Sequence, residues 1–320
     1  MTSPTAADSK WWQEAVIYQI YPRSFFDSNS DGEGDLPGIT QKLQYVADLG
    51  VDAIWLSPFY TSPNKDGGYD IANPRDVDPR FGNLADAKLM INKAHDLGLK
   101  VLVDIVPNHF SSEHEWFKAA LIAGPGSKER ARFHFYDAKD DGTPPNNWIS
   151  LFGGPAWTQI ADGQYYLHLF DSSQPDLNWE NPEVDQDFKE TISFWVKMGA
   201  DGFRIDVAHG MIKEAGFPDV PSDPKLLEGK PMPFWDQDGV HEIYKEWRKI
   251  LDSYPNNRMA VAEAWVFPSS RIARYLRPGE LMNSFNFEFF GSKWEAKELK
   301  ELPTVNVAEV AITGVCLSMF

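Results

Sequence analysis

The stretch Leu99–His109 reads LKVLVDIVPNH. Its beginning is apolar and rich in Leu and Val, which is typical of a strand buried on both faces. Polar residues follow at its end, among them Asp104 and His109. The stretch therefore predicts a central parallel strand that ends in side chains able to do chemistry.

Similar segments recur on both sides and alternate with helix-like segments. Apolar residues three and four apart predict the helices, and several of these stop at a glycine, as at Gly50 and Gly199. The predicted strands are Ala15–Phe25, Val51–Tyr60, Leu99–His109, Ala200–Ala208, Arg258–Val266 and Met282–Gly291. The predicted helices are Leu36–Leu49, Asn83–Leu97, Pro182–Met198, Gly239–Ser253 and Ser269–Leu276.

The alternation is interrupted from Phe110 to about Asn181, where Pro, Gly, Asn and aromatic residues are frequent. The stretch is too long for an ordinary connection. We therefore expect a small inserted domain, domain B, at residues 110–181. It would divide the main domain into residues 1–109 and 182–320, with an atypical tail from about residue 302.

Strand–helix alternation with apolar strands predicts a parallel sheet covered by helices, either doubly wound or closed into a TIM barrel. Polar residues at the ends of strands two to five favour the barrel, because barrel strand ends line one active-site mouth. No Gly-rich phosphate loop follows any strand, which removes the main support for the doubly wound alternative. These polar residues are Ser57, Asp104, His109, Arg204, Asp206 and Glu263. We expect an α/β fold, a (β/α)₈ TIM barrel incomplete at its C-terminal end, with about six strands.

The composition excludes several classes of partner. The 320 residues carry a formal net charge of −17, which disfavours nucleic acid and anionic membranes but suits a neutral substrate such as a sugar. Aromatic residues make up 14% of the chain, and sugar rings pack on such side chains, although most are expected in the core. Cys316 is the single cysteine, and no apolar run is long enough for a bilayer, so we expect a cytoplasmic protein without disulfides.

The strand-end motifs together resemble the α-amylase family of glycoside hydrolases. The family's blocks on strands three, four and five resemble DIVPNH at Asp104–His109, GFRIDVA at Gly202–Ala208 and VAEAW at Val261–Trp265. The oligo-1,6-glucosidase and α-glucosidase subfamily is indicated by QPDLN at 174–178, NNWISLFGGPAW at 146–157 and GYD at 68–70. The resemblance implies a retaining, exo-acting α-glucosidase that releases glucose from short α-1,4- or α-1,6-linked gluco-oligosaccharides.

By this resemblance, Asp206 is the nucleophile and Glu263 the general acid/base, a pair that lies roughly 5–5.5 Å apart in retaining enzymes. Arg204 shares a strand face with Asp206, so we expect its guanidinium to lower the pKa of Asp206. Ala262 and Ala264 flank Glu263, and an apolar setting would raise its pKa for the acid role. The alternative is a structural Arg204–Asp206 ion pair and a barrel-lining Glu263.

The resemblance also implies residues that bind the non-reducing-end glucose. His109 would bond a hydroxyl in the cleavage subsite, Asp70 would accept from ring hydroxyls, and Tyr69 would stack beneath the ring. Arg204 would lie beside them as part of the substrate-binding site. Asp104 would support Arg204 rather than take part in the chemistry.

The loop Asp27–Asp35 reads DSNSDGEGD. Alternating oxygen side chains suit a hard cation, although the twelfth position of an EF-hand loop would be Gly38 instead of Glu. In the subfamily a similar loop binds a structural Ca²⁺ or Mg²⁺, and the alternative is an acidic turn. The candidate ligands are Asp27, Asn29, Asp31 and Asp35. No organic cofactor is expected.

Two features depart from the family. The N-H-D block, which carries a third carboxylate on the seventh strand, does not occur in the 320 residues, and Leu302–Phe320 reads unlike the family. We therefore expect a truncated or frame-shifted chain with little activity of its own. Val207, directly after the candidate nucleophile, resembles enzymes that accept α-1,6 links. The alternatives are a sucrose- or trehalose-type glucosidase, an isomerase, or a non-catalytic amylase-like binding protein.

Overall fold

The structure is a computed structural model that describes residues 10–223, 227 and 230–301. The strands of this part are β1 Ile17–Ile20, β2 Ala53–Leu56, β3 Tyr60–Thr61, β4 Asn73–Val77, β5 Lys100–Ile105, β6 Phe135–Tyr136, β7 Trp157–Gln159, β8 Tyr165–Leu167, β9 Gly202–Ile205, β10 Met259–Ala262 and β11 Asn283–Ser284. The helices are α1 Pro22–Phe25, α2 Leu36–Asp48, α3 Leu84–Asp96, α4 Glu115–Ala123, α5 Pro182–Met198, α6 Val240–Asp252, α7 Ile272–Tyr275, α8 Phe287–Gly291 and α9 Ala296–Glu301.

The central feature is a parallel six-stranded sheet in the order β1-β2-β5-β9-β10-β11. Its register aligns Asp104 of β5 with Arg204 of β9, and Arg204 with Val261 of β10. Because the strands are parallel, their carboxyl ends lie at one edge, where the residues after β9 and β10 meet. The predicted α/β fold with about six parallel strands is confirmed.

Helices cover the sheet, and α5 shows why the sequence folds in this way. Asn181 caps the helix by accepting from the N–H of Glu183, Pro182 occupies the first turn, and Gly199 ends the helix at φ 114°. A Cβ at Gly199 would lie 2.8 Å from Cγ2 of Ile91 in α3. Glycine at this position therefore both permits the left-handed turn and lets the two helices approach.

The stretch between β5 and α5 contains α4 and a second, antiparallel sheet in the order β6-β8-β7. A separate apolar cluster around Trp148, Trp157 and Leu167 packs in this region. A bridge from Asp176 to His109 links its end to the segment after β5, and a bridge from Leu177 to Phe133 lies within the stretch itself. The boundaries of domain B at 110–181 stay a prediction.

Two expectations about individual elements were wrong, and one element was missed. The predicted strand Ala15–Phe25 is divided, because Pro22 lies in the first turn of the short helix α1. The predicted strand Met282–Gly291 contains only the two residues of β11, and the Asn286 side chain caps α8 after it. The β3–β4 hairpin was not predicted, because its strands are short and contain Pro74.

Candidate active site

The candidate catalytic carboxylates directly follow neighbouring strands of the sheet. Asp206 comes after β9 and its N–H donates to the carbonyl of Ile105 at 2.8 Å. Glu263 comes after β10 and its N–H donates to the carbonyl of Ile205 at 2.9 Å. These ladder bonds continue the sheet by one residue, so the backbone of both residues is held by the rigid part of the fold.

The Arg204 guanidinium brings three carboxylates together. Its Nη1 lies 2.6 Å from Oδ1 of Asp206 and 3.0 Å from Oδ1 of Asp104. Its Nη2 lies 3.1 Å from Oε2 of Glu263. The Arg204 side chain is only 8% exposed, so these contacts are little screened by water. The two predicted catalytic residues and Arg204 therefore form one cluster.

The Arg204 guanidinium acts to lower the pKa of Asp206, as expected, but it does not bring this pKa below its ordinary value. Burial raises the pKa of Asp206 well above its ordinary value, and the guanidinium opposes this shift without reversing it. The charges of Glu263 and Asp104 act in the same direction as burial. The reason is that one cation serves several carboxylates, so its compensation is divided among them.

The expectation of an apolar setting for Glu263 was wrong. Its Oε2 accepts from the N–H of Val207 at 2.9 Å, and its Oε1 accepts from Nε1 of Trp265 at 3.1 Å. Val207 has a φ of 44°, which is unfavourable for a β-branched residue. Together with Arg204, these contacts fix the orientation of the carboxylate at the mouth of the sheet.

Asp104 and Tyr69 both contact the Arg204 guanidinium. Asp104 is fully buried, and its Oδ2 accepts from Nε1 of Trp55 at 3.1 Å and from the hydroxyl of Tyr69 at 3.2 Å. Burial raises the pKa of Asp104 to about 6, against the opposing charge of Arg204. Tyr69 is half-buried, and its hydroxyl is tied to the cluster.

His109 lies beside this cluster and connects it to the region before α5. Its Nε2 is 3.1 Å from Nε2 of Gln174, and that amide donates to Oδ2 of Asp66 at 2.8 Å. The ring centroids of His109 and Phe170 are 5.2 Å apart. Burial lowers the pKa of His109, so the imidazole is neutral near neutral pH.

Asp70 is enclosed in a turn close to His109, and its role in substrate binding stays a prediction. Its exposure is 0%, and its carboxylate accepts from the hydroxyl of Ser62 at 2.9 Å and from the N–H groups of Lys65 and Asp66 at 3.0 and 3.1 Å. These bonds hold the turn that presents Asp66 and Tyr69. Asp70 therefore supports the turn, and the Asp66 carboxylate accepts from the Gln174 amide that lies beside His109.

Sequence reasoning missed Asp66 and Lys213. Asp66 precedes two glycines and lies three residues before Tyr69, a turn pattern that could have attracted attention. Lys213 carries no local signal, because its ion pair with Asp176 spans distant parts of the chain.

The candidate metal loop is ordered by its own backbone. Asp27 accepts from the N–H groups of Asn29, Ser30 and Gly32, which lowers its pKa, and Asp31 accepts from the N–H of Glu33. Half-buried Asp27 and exposed Asp31 keep oxygen lone pairs that suit a hard cation.

The other two candidate ligands fit a cation less well. Asp35 is buried and caps α2 through Gly38, and the amide of Asn29 donates to Asp31. Across the described ranges, no three His, Cys, Asp or Glu side chains form a metal-binding group. The cation site stays a prediction.

The comparisons with known proteins agree with this arrangement. Residues 19–315 match the α-amylase catalytic domain. The chain is 45% identical over 292 residues to oligo-1,6-glucosidase IMA5 of Saccharomyces cerevisiae, covering 87% of this chain and 50% of the relative. It is 44% identical over 301 residues to the oligo-1,6-glucosidase of Parageobacillus thermoglucosidasius, covering 90% and 52%. The chain thus spans about half the length of these curated relatives.

Solved structures show the same kinship. The α-glucosyl transfer enzyme XgtA superposes with a TM-score of 0.84 at 42% identity, over 91% of this chain and 57% of that chain. Trehalose-6-phosphate hydrolase of Bacillus licheniformis superposes with a TM-score of 0.82 at 40% identity, over 89% and 51%. The sheet is therefore part of the predicted TIM barrel. The family expectation is confirmed: the chain belongs to the α-amylase family and carries much of its catalytic domain.

Proposed function

We propose that this chain provides the cleavage site of a retaining, exo-acting α-glucosidase that releases glucose from short α-linked gluco-oligosaccharides. The observation that carries the proposal is the Arg204 guanidinium, which holds Asp206 and Glu263 together at the ends of adjacent strands. Two carboxylates that flank a glycosidic bond can divide the displacement into two steps. The curated relatives named above support a glucosidase rather than a non-catalytic binding protein.

In this proposal Asp206 attacks the anomeric carbon, and Glu263 protonates the leaving oxygen and later activates water. Tyr69 offers its partly exposed ring to the glucose, and the neutral imidazole of His109 offers an N–H to a hydroxyl. Arg204 positions both carboxylates. No organic cofactor is required, because carboxylates perform every proton and glycosyl transfer.

Linkage specificity is the finer part of the proposal. Val207 directly follows the candidate nucleophile, and its own N–H donates to Glu263. We propose that Val207 allows the site to accept α-1,6 links in addition to α-1,4 links. The relatives' names, oligo-1,6-glucosidase, support this choice. This preference is measured by the ratio of kcat/KM for isomaltose to kcat/KM for maltose. Val207→Thr should change this ratio more than it changes kcat for either substrate.

An α-configured cyclophellitol epoxide tests the proposal through covalent labelling. Peptide mass spectrometry should find the ester on Asp206, and Asp206→Asn should remain unlabelled. Asp238→Asn, at an exposed carboxylate, should label like wild type. An ester on a residue other than Asp206, or labelling of Asp206→Asn equal to that of wild type, would contradict the proposal. The anomer released first should be α-glucose, because two inversions restore the configuration.

A second candidate within the family is glucosyl transfer or isomerisation. The structural similarity to an α-glucosyl transfer enzyme and to trehalulose synthase supports this second candidate. The same covalent intermediate would serve both reactions, because only the acceptor differs. Product analysis with sucrose and with maltose separates them, since transfer gives new disaccharides while hydrolysis gives free glucose.

We also propose a structural Ca²⁺ or Mg²⁺ in the Asp27–Asp35 loop and a cytoplasmic location. The carboxylates of half-buried Asp27 and exposed Asp31 support the cation. The net charge of −17 supports an aqueous compartment without nucleic-acid or anionic-membrane partners. Within the residues that the structure describes, no helix has the length and apolarity to cross a membrane. Cell fractionation tests the location.

A further inference from the structure

Trp235 is a half-buried aromatic residue that the proposed reaction does not use. It lies on the loop that leads from β9 to α6, shortly before that helix begins. Its ring centroid is 5.2 Å from that of Phe234, and the Phe234 ring is 5.2 Å from Trp148 in the apolar cluster between β5 and α5. The Phe170 ring of the same stretch is 6.3 Å away. Aromatic packing between the two segments therefore holds Trp235 in place.

Trp235 also packs on the turn at residues 207–210, which directly follows the candidate nucleophile. The ring centroids of Trp235 and His209 are 4.6 Å apart. A Cβ at Gly210 would lie 2.6 Å from Cζ3 of Trp235, so the indole is in close contact with the backbone of the turn. The neighbouring Asp236 donates its N–H to the carbonyl of His209 at 2.7 Å. The segment before α6 thus supports the turn by packing and by a hydrogen bond.

The same turn directs two N–H groups at Glu263. The N–H of Val207 donates to Oε2 of Glu263 at 2.9 Å, and the N–H of Ala208 donates to the carbonyl of Glu263 at 2.8 Å. The N–H of Gly210 closes the turn on the carbonyl of Val207 at 2.9 Å. The position of the turn therefore determines where the backbone and one carboxylate oxygen of Glu263 find their donors.

The turn needs support from its surroundings, because Val207 has a φ of 44°. This conformation is unfavourable for a β-branched residue, and such strain persists only where neighbouring contacts over-determine the backbone. Glu263 provides some of these contacts, and Trp235 and Asp236 provide others. Without the indole, the turn would be free to relax and to withdraw the Val207 N–H from the carboxylate.

We propose that Trp235 is a positioning residue for Glu263: by packing on the turn at residues 207–210, it keeps the Val207 N–H on the carboxylate oxygen. The orientation of Glu263 is thereby coupled to the aromatic packing between the β9–α6 loop and the stretch between β5 and α5. This arrangement is a property of the unliganded chain. Only its consequence for catalysis, that the carboxyl group is aimed at the leaving oxygen, rests on the proposed function.

Hydrogen exchange of the Val207 amide tests the proposal in the 320-residue chain labelled with nitrogen-15 valine. Val207→Ile identifies the resonance by NMR, because it removes that valine signal. Trp235→Ala should speed the exchange at Val207 about tenfold, because the strained turn opens more often. Val103 in the central strand β5 should exchange as in wild type. Trp235→Phe retains a smaller ring, and its exchange at Val207 should lie between wild type and the alanine variant.

Trp294→Ala is the matched control, because the Trp294 side chain is 86% exposed, and it should leave the exchange at Val207 unchanged. Wild-type exchange at Val207 in Trp235→Ala would overturn the proposal. Equal acceleration at Val207 and Val103 would also overturn it, since it would show a general loss of stability and not a local effect. If the alanine variant does not fold, Trp235→Phe decides, and wild-type exchange in that variant would overturn the proposal.

Kinetics measure the consequence for catalysis separately. If the chain cleaves maltose, Trp235→Ala should lower kcat/KM for maltose by about tenfold, because the leaving oxygen needs a correctly aimed acid. The value for α-glucosyl fluoride should fall much less, because fluoride departs with little help from an acid. An equal fall for both substrates would contradict the positioning of Glu263. A chain that cleaves neither substrate would count against the proposed function and would leave the exchange measurement decisive.

Discussion

Arg204 is the residue on which the geometry of the candidate site depends. Its guanidinium contacts Asp104, Asp206 and Glu263, and its carbon lies 5.1 Å from the ring centroid of Trp55. A planar fork can hold several carboxylates at fixed angles, whereas an ammonium acts as a single point charge. The distance between the two candidate catalytic groups therefore follows from one rigid side chain anchored on β9.

The roles of the two carboxylates can be separated by azide rescue. Glu263→Gln should lower kcat by roughly 10²–10⁴-fold on substrates whose leaving group needs protonation. Glu263→Ala with azide should yield α-glucosyl azide, since azide enters from the side of the missing acid/base. Asp206→Ala should yield the β-azide instead. Identical azide products from both variants, identified by NMR, would show that the roles are wrongly assigned.

At the scale of the element, α3 shows how local sequence stabilises a covering helix. Asn83 accepts from the N–H groups of Ala85 and Asp86, and Asp86 accepts in return from the N–H of Asn83. This capping box satisfies backbone donors that no other group in the helix can reach. The buried face of Ala87, Ile91 and neighbouring residues then fixes the helix on the sheet.

Removing this cap should destabilise the chain measurably. We expect Asn83→Ala to lower the free energy of unfolding by about 1 kcal/mol, because two N–H groups lose their acceptor. Asn83→Asp keeps a capping oxygen and should unfold at nearly the wild-type denaturant concentration. Equal denaturation midpoints for the alanine and aspartate variants would mean that water replaces the cap without cost.

The loop between α1 and α2 should respond to divalent ions if it binds one. Adding Ca²⁺ or Mg²⁺ at roughly a hundred times the dissociation constant should stabilise the chain by ~2.7 kcal/mol through mass action. Asp31→Ala should remove this gain in melting temperature, whereas Asp48→Asn, on α2 outside the loop, should retain it. A melting temperature that changes with neither the added ion nor a chelator would exclude the cation site.

At the scale of the whole molecule, Asp201 ties several elements together at the opposite end of the strands. It contacts Nε2 of His95 and Nη1 of Arg258, both at 2.7 Å, and accepts from the N–H of Val101. Lys100 lies 3.4 Å away. Burial raises the pKa of Asp201, but these donors and charges outweigh burial and hold the pKa below its ordinary value.

This pKa shift predicts how stability depends on pH. Since the folded pKa is depressed, the carboxylate stabilises the fold fully above the unfolded value of about 3.9, and the contribution is lost as pH falls through the folded pKa. The difference in unfolding free energy between wild type and Asp201→Asn should therefore be largest near neutral pH and shrink below pH ~4. Asp96→Asn, at an exposed position, should show no such trend; a difference independent of pH would contradict the prediction.

Periodicity predicted the elements whose packing agrees with their local signals. The helix Pro182–Met198 has the predicted bounds, because a cap, a proline and a glycine mark both ends. The strands were predicted longer than they are, since each apolar run continues into buried residues that belong to loops. The strand predicted at 282–291 ends early, because the Asn286 side chain caps a helix that begins at Phe287. The sequence pattern did not reveal this cap.

The sequence by itself determined the alternating α/β architecture and which strand ends carry Asp206, Arg204 and Glu263, because side-chain periodicity and order along the chain are local properties. Only the tertiary structure decided that Asp70 is enclosed in a turn, that Glu263 has polar partners, and that Lys213 pairs with Asp176. These outcomes depend on contacts between residues far apart in sequence. Burial and hydrogen bonding at such contacts, rather than the identity of each residue, set the charge and orientation of the groups in the site.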